Sequence, residues 1–167
     1  MTISAKSSSV SFAFLRQHAA HFIALGFGAG LAPIAPGTTG TLVAYPIFFG
    51  LMLMLPLWIQ LAAVAVMFAL GVWVCTITGR NLGVVDHGAI VWDEVVAMLL
   101  VLAFTPLGWA WYGIAFAVFR AMDILKPFPI RLADRKIKNG FGVMFDDLLA
   151  AIYAILILRI LERFLNG

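Results

Sequence analysis

Five long apolar runs, joined by short turns or polar loops, constrain the fold of this chain more than any other feature. They cover residues 41–55, 57–78, 89–104, 109–125 and 143–164. An α-helix needs about 20 apolar residues to cross a bilayer core, and in lipid only helices and closed β-barrels satisfy the backbone polar groups. The runs therefore predict an all-α fold, a polytopic membrane bundle of about four to five transmembrane helices.

The composition supports a membrane protein with a single domain. Of the 167 residues, 63% are hydrophobic and 11% are charged, whereas soluble domains carry about 25% charged residues. We expect residues 1–17 to form a cytoplasmic N-terminal tail and residues 18–167 to form one membrane-embedded domain. The net charge of +3 is too small to indicate a nucleic-acid partner. The single cysteine, Cys75, lies in an apolar run, where we expect it to be a core residue.

Residues 18–31 are apolar, but this segment is too short and too rich in glycine for a full span. Gly26, Gly28 and Gly30 lie in it, and two prolines follow. We therefore predict a re-entrant or interfacial segment, with His18 and His21 as interfacial polar residues.

Basic residues orient the predicted bundle. The loop over residues 126–142 contains five Lys and Arg residues, whereas the turns near Pro56 and Pro106 carry no charge. Cytoplasmic loops are enriched in Lys and Arg, so we expect the 126–142 loop in the cytoplasm and the two turns on the other side. Arg159 and Arg163 weakly favour the opposite orientation, because this topology places the C-terminus outside.

Acidic residues are confined to a small part of the sequence. Seven of the eight lie between Asp86 and Asp147, and the first 85 residues contain none. Ionisable groups in or beside a membrane span are costly and usually mark functional sites. The predicted topology brings six of them to one membrane face: Asp86, Asp93, Glu94, Asp123, Asp146 and Asp147.

Two adjacent acidic pairs on this face predict a metal site. Converging carboxylates repel one another, a divalent cation relieves that repulsion, and oxygen-rich sites suit Mg²⁺ or Mn²⁺. We therefore predict Mg²⁺ as the cofactor, with ligands drawn from Asp93, Glu94, Asp146 and Asp147. The alternative is interfacial charge that only prevents the helices from sliding.

Asp123 differs from the other acids because it lies inside an apolar run, three residues after Arg120 and three before Lys126. A helix places all three side chains near one face. This spacing fits either an ion pair that neutralises Asp123 or a clamp in which Arg120 and Lys126 bind an anionic group. The following residues, 126–131, are predicted to leave the membrane in an extended conformation.

Glycine and threonine dominate residues 36–41. Backbone N–H groups in such a turn, just before a helix, bind phosphate, so we predict ligand contact by Thr38, Thr39 and Thr41. Glycines also allow close helix packing, which is the alternative for residues 26–30. His87, beside Asp86, is a candidate proton carrier or ligand.

With these residues considered together, the chain resembles the bacterial phosphatidylglycerophosphatase A family. The resemblance runs from residue 26 to residue 151 and rests on four blocks: 28–41 (GAGLAPIAPGTTGT), 86–94 (DHGAIVWDE), 119–130 (FRAMDILKPFPI) and 142–147 (GVMFDD). It implies a Mg²⁺-dependent enzyme of the bacterial inner membrane that converts phosphatidylglycerophosphate to phosphatidylglycerol at its cytoplasmic face. Three residues stand where the pattern expects glycine: Ala97, Asn139 and Ala151.

The residue pattern and the resemblance together predict the site. The expected catalytic residues are Asp86, Asp93, Glu94, Asp123 and Asp147. The expected substrate-binding residues are Thr38, Thr39, Thr41, His87, Arg120, Lys126 and Arg131. A metal-activated water and an aspartyl-phosphate intermediate both fit the pattern. Two competing hypotheses are a small proton- or cation-coupled transporter that uses intramembrane carboxylates, and a lipid phosphotransferase.

Overall fold

The computed structural model describes residues 10–166, and every element of regular structure within them is helical. The elements, in chain order, are α1 (Phe12–Leu15), α2 (Ala19–Ala24), a 3₁₀ helix (Gly26–Leu31), α3 (Pro36–Ile47), a π turn (Phe48–Met52), α4 (Leu57–Leu82), α5 (Trp92–Ala103), α6 (Trp109–Leu125), α7 (Ile130–Lys136) and α8 (Gly140–Asn166). The all-α prediction is confirmed.

Helices α4 and α8 are long and apolar enough to cross a membrane. The two qualifying stretches, Leu57–Leu82 and Gly140–Leu165, contain 26 residues each, and a helix of that length measures about 39 Å. Helices α5 and α6 contain 12 and 17 residues, which corresponds to about 18 and 26 Å. The described part of the chain thus has two candidate membrane-spanning helices, and the count of four to five spans stays a prediction.

Helix α5 lies at the centre of the bundle. It packs against α3, α4, α6 and α8, and nine of its 12 residues are buried. Its first turn carries Asp93 and Glu94, so the central position of the helix places two carboxylates inside the bundle. The sulfur of Cys75, on α4, packs 4.0 Å from that of Met144 on α8, and Cys75 is fully buried, as expected of a core residue.

Helix α3 begins at Pro36, five residues before the predicted span. Proline is favoured at the first position of a helix because its missing N–H is unpaired there in any case. The predicted turn over residues 36–41 is therefore the first turn and a half of a helix. Its glycines serve packing, since a Cβ on Gly40 would overlap Val91 at the start of α5.

The loop predicted over residues 126–142 contains a helix, α7, and residues 126–131 are not extended. Lys126 ends α6 with φ of 43°, in the left-handed region, so the chain turns back at this point. Ile130 is fully buried, and α7 packs against α8. The segment was predicted as a loop because of its basic residues, and its apolar contact with the bundle was not predicted.

The N-terminal segment is held to the bundle by short helices. Helices α2 and the 3₁₀ helix contain six residues each, too few to span a bilayer. His21 is buried, unlike the predicted interfacial residue: its Nδ1 lies 3.0 Å from Thr78 Oγ1 and its Nε2 lies 3.1 Å from Asn81 Nδ2. Residues 1–9 of the predicted tail lie outside the described residues, and Leu15 is buried against the 3₁₀ segment.

The close contact between α4 and Gly140 of α8 leads to a prediction, for which Gly113 of α6 is the control. A Cβ on Gly140 would overlap Val72 and Thr76 of α4, whereas a Cβ on Gly113 in α6 would meet no atom within 4 Å. Replacing glycine by alanine in a helix ordinarily stabilises by about 1 kcal/mol. We expect Gly113→Ala to follow that rule, and Gly140→Ala to destabilise by about 1–3 kcal/mol through overpacking. Thermal unfolding in detergent measures both, and an unchanged midpoint for Gly140→Ala would contradict the close approach.

Candidate active site

Four helix ends meet at one end of the bundle and carry the polar residues of the candidate site. They are the N-terminal turns of α3, α5 and α8 and the C-terminal turns of α6. Antiparallel neighbours bring opposite ends together, so residues far apart in sequence reach the same depth. The chemistry predicted from scattered residues is therefore concentrated in one place.

Three carboxylates converge there. Asp93, Glu94 and Asp147 each offer an oxygen, and these oxygens lie within 4.8 Å of one another. Asp93 is 8% exposed and Asp147 is 3% exposed. The start of α5 supports two of the three, because a helix N-terminus favours negative charge. Asp147 comes from the second turn of α8.

Each of these carboxylates has a buried oxygen without a protein partner. The unpaired atoms are Asp93 Oδ1, Glu94 Oε2 and Asp147 Oδ2. A buried polar atom is normally hydrogen bonded, and leaving a charged one unpaired is costly. Three hard oxygen donors that converge in this way match the donor set of a divalent cation.

Arg120 lies beside the three carboxylates. Its Nη1 donates to Asp123 Oδ2 at 2.6 Å and to Thr41 Oγ1 at 3.4 Å, and lies 3.7 Å from Glu94 Oε1. The ion pair with Asp123 is one of the two arrangements that the i, i+3 spacing allowed. The buried Arg120 Nε has no protein partner, so the guanidinium retains a free donor.

Gly37 also belongs to this site, although it was not among the predicted site residues. A Cβ at this position would overlap the Glu94 carboxylate and would approach Arg120 Nη1. Glycine therefore lets the backbone of α3 touch the charged groups of α5 and α6. The sequence signal was the glycine itself, at the second position of a helix.

Lys126 belongs to a second charged group, next to the first. It forms an ion pair with Asp146 of α8 and lies 3.5 Å from Asp134 of α7. Burial alone would lower the pKa of Lys126, but the hydrogen bond and the charge of Asp146 outweigh burial and raise the pKa above its ordinary value. Asp146 thus faces a permanent cation, and the group of three carboxylates contains its neighbour Asp147 instead.

The threonines of α3 use their hydroxyls within the helix and its neighbour. The Thr39 hydroxyl lies 2.6 Å from Pro36 O and 2.8 Å from Ala29 O, two acceptors for its single hydrogen, and Thr41 Oγ1 donates to Gly37 O at 2.9 Å. Thr38 is half-buried. Of the three, Thr41 reaches Arg120.

Three further predicted residues are not among the three converging carboxylates. Asp86 is exposed in the loop before α5. His87 Nδ1 accepts a hydrogen bond from the Ala89 N–H at 3.2 Å, so it caps a turn. Arg131 is exposed on α7. Asp134, which pairs with Lys126, was not predicted because its segment was assigned to a loop.

Comparison with known proteins gives a consistent result. The sequence model of the phosphatidylglycerophosphatase A family matches residues 22–162. Phosphatidylglycerophosphatase A of Haemophilus influenzae is 51% identical over 138 residues, covering 82% of this chain and 85% of the relative. The Escherichia coli protein of the same name is 44% identical over 133 residues, covering 79% and 77%. A putative phosphatidylinositol-3-phosphatase of Bacteroides thetaiotaomicron is 38% identical over 145 residues, covering 83% and 90%. No solved structure matches.

The Lys126–Asp146 pair generates a stability prediction. Asp146 is buried and Lys126 partly so, and removing one partner leaves the other charge uncompensated. We expect Lys126→Met to lower the free energy of unfolding by about 2–3 kcal/mol, somewhat below the loss for a fully buried pair. The double variant with Asp146→Asn should recover part of that loss.

Unfolding in detergent provides the double-mutant cycle, and Glu162→Gln is the matched control. Glu162 pairs with the exposed Arg159 at 2.7 Å, and exposed pairs contribute about 0–1 kcal/mol. Additive losses for Lys126→Met and Asp146→Asn would show that the two side chains do not interact.

Proposed function

Because this chain belongs to the phosphatidylglycerophosphatase A family, we propose that it hydrolyses the terminal phosphate monoester of phosphatidylglycerophosphate. The products are phosphatidylglycerol and inorganic phosphate. The observation that carries the proposal is the group of three carboxylates, with their unpaired buried oxygens, beside the free donor of Arg120. Such a group suits a phosphoryl-transfer site, where positioning and charge stabilisation supply most of the catalysis.

The proposed cofactor is Mg²⁺, held by Asp93, Glu94 and Asp147. Its support is the fit of the donor set: three hard oxygens within 4.8 Å of one another, each from a side chain with an orphaned buried oxygen. When bound, Mg²⁺ supplies Lewis-acid polarisation of the phosphoryl group and lowers the pKa of water.

The chain's own residues position the substrate and stabilise its charge. Arg120 is the proposed phosphate ligand, because its Nε is free while Asp123 and Thr41 fix its Nη1. Water attacks phosphorus in line with the departing glycerol oxygen; the P–O bond to that oxygen breaks as the new one forms, and the glycerol oxygen takes up a proton from solvent to become a hydroxyl. Asp123 is the proposed acceptor of the water's proton, and Lys126 adds positive charge at the rim of the site.

The proposed setting is the bacterial inner membrane, with several spans and the site facing the cytoplasm. Helices α4 and α8 are long and apolar enough to span a membrane, and the proposal adds two or three of the helices α3, α5 and α6 to reach four to five spans. The basic 126–142 segment adjoins the site, and the positive-inside rule supports a cytoplasmic position for both. A charged head group then reaches the carboxylates while the acyl chains stay in the bilayer.

We expect the purified protein to release phosphate from phosphatidylglycerophosphate in detergent micelles with Mg²⁺, and to stop when a chelator is added. Asp93→Asn and Asp147→Asn should each reduce kcat by about 10²–10⁴, the scale of losing a key electrostatic or acid–base group. Phosphate release measures the rates. Glu162→Gln, an equivalent change outside the site, should keep wild-type activity.

Two results would contradict this proposal. Absence of metal-dependent phosphate release by the folded wild type would exclude the phosphatase activity. Wild-type rates for both aspartate variants would keep the activity but exclude these side chains from it.

Metal binding has its own expected signature. A ligand that binds the folded state alone stabilises it by about 2.7 kcal/mol at 100 times its Kd, so Mg²⁺ or Mn²⁺ should raise the thermal midpoint. Asp147→Asn should abolish that rise, whereas Glu162→Gln should retain it. An equal rise in all three proteins would locate the metal elsewhere.

A further inference from the structure

A lateral groove runs between α3 and α6, on the face of the bundle away from α4. Its volume is about 310 Å³, at the lower end of ligand-pocket sizes. Six residues line it: Leu42, Tyr45, Trp109, Tyr112, Gly113 and Phe116. The lining is almost entirely apolar and aromatic, and two residues at its edges are open to the surroundings, Leu42 at 52% and Trp109 at 81% exposure.

Aromatic side chains connect α3 and α6 at this groove. The Tyr45 hydroxyl donates to Tyr112 O at 2.7 Å, and the Tyr45 and Phe116 rings are 6.5 Å apart. The ring of Phe49, in the π turn that follows α3, lies 5.6 Å from that of Trp109. These contacts run in opposite chain directions along the two segments, so α3 and α6 are antiparallel at the groove.

The groove and the candidate active site lie on the same two helices. One helical turn before Tyr45 on α3 is Thr41, and one turn after Phe116 on α6 is Arg120. Arg120 Nη1 lies 3.4 Å from Thr41 Oγ1. The same pair of helices therefore presents a cation and a hydroxyl at one end and an apolar channel along the rest.

We propose that this groove binds an acyl chain of the phospholipid substrate while the phosphate monoester lies at Arg120. The inference rests on the proposed function, and it commits to the substrate lipid rather than to bulk lipid. A molecule with an anionic phosphate at one end and a long hydrocarbon chain matches the order of charge and apolar surface along α3 and α6. Specificity for a lipid over a soluble phosphate ester then follows from the groove.

Gly113 offers a way to fill the groove without a clash. It lines the groove, and a Cβ there would meet no atom within 4 Å. Gly113→Phe therefore places a ring in the open space. The matched control is Ala65→Phe, which adds the same ring to an exposed position on α4, away from the groove.

The first experiment compares two lengths of substrate chain. With long-chain phosphatidylglycerophosphate in mixed micelles, Gly113→Phe should raise KM at least about fivefold, because side-chain contacts in an apolar pocket change affinity on this scale. With a dihexanoyl substrate, its kcat/KM should stay within about twofold of wild type. Ala65→Phe should match wild type on both substrates. Equal losses on both chain lengths, or no loss on either, would overturn the proposal.

The second experiment uses wild-type protein and does not depend on turnover. A phosphatidylglycerophosphate analogue with a photoreactive diazirine in its acyl chain is bound in the presence of chelator and irradiated, and labelled peptides are mapped by mass spectrometry. Label should appear on the peptides containing Leu42 and Phe116, and unlabelled phosphatidylglycerophosphate should compete far better than phosphatidylcholine. Equal competition by both lipids would show bulk lipid in the groove and would overturn the proposal. Failure of phosphate release alone would refute the proposed function while leaving this labelling result to decide the groove.

Discussion

The bundle has to accommodate the repulsion among three closely placed carboxylates, two of them buried and one partly buried. Asp93, Glu94 and Asp147 converge within 4.8 Å in a largely apolar interior. Three helices contribute to stabilising these charges. The N-terminus of α5 carries two of the carboxylates, Arg120 of α6 lies beside Glu94, and the backbone of α3 contacts Glu94 at Gly37. The neighbouring helices thus stabilise the polar end of the central helix. A change in the packing of α3 or α6 would therefore alter the surroundings of the carboxylates.

The charged groups are divided between two small networks with different partners. Arg120 pairs with Asp123 and approaches Glu94, whereas Lys126 pairs with Asp146 and Asp134. The second network joins α6, α7 and α8 at the edge of the site. As a result, two adjacent residues have different partners: Asp146 forms an ion pair with Lys126, whereas Asp147 lies in the group of three carboxylates. A helix separates neighbouring side chains by about 100°, which is the geometric origin of that division.

Much of the fold was predictable because strong local signals define it. Helix α6 has the predicted bounds, Trp109–Leu125, since a Pro-Leu-Gly turn precedes it and Lys126-Pro127 follows it. The Arg120–Asp123 pair also followed from helical spacing. By contrast, the first residues of α3, 36–40, and the whole of α7 were not predicted as helix. The start of α3 is rich in glycine and threonine, which have low helix propensity, and contact with α5 overrides that preference. Helix α7 follows two prolines and is rich in charge, so its segment was assigned to a loop although it packs against α8.

The site was predictable as a region but not as a set of contacts. Topology alone brought the acidic pairs to one face, whereas the direction of each side chain depends on how the helices are rotated. Lys126 shows the limit clearly. Counting residues placed it beside Asp123, but its left-handed backbone, with φ of 43°, turns it towards Asp146. Gly37 was not predicted because it contributes through the absence of a side chain, which leaves room for the Glu94 carboxylate.

The gap between α3 and α6 bears on how a lipid would reach this site. An opening along the side of a bundle, in contrast to one at its end, faces the hydrocarbon of the bilayer. A lipid entering there never leaves the membrane, so its encounter rate follows two-dimensional diffusion and its mole fraction among membrane lipids. Affinity measured against volume concentration would then vary with the amount of detergent or lipid present. If the proposed groove is the route, turnover would be governed by surface dilution, and the product would depart by the same sideways route without crossing water.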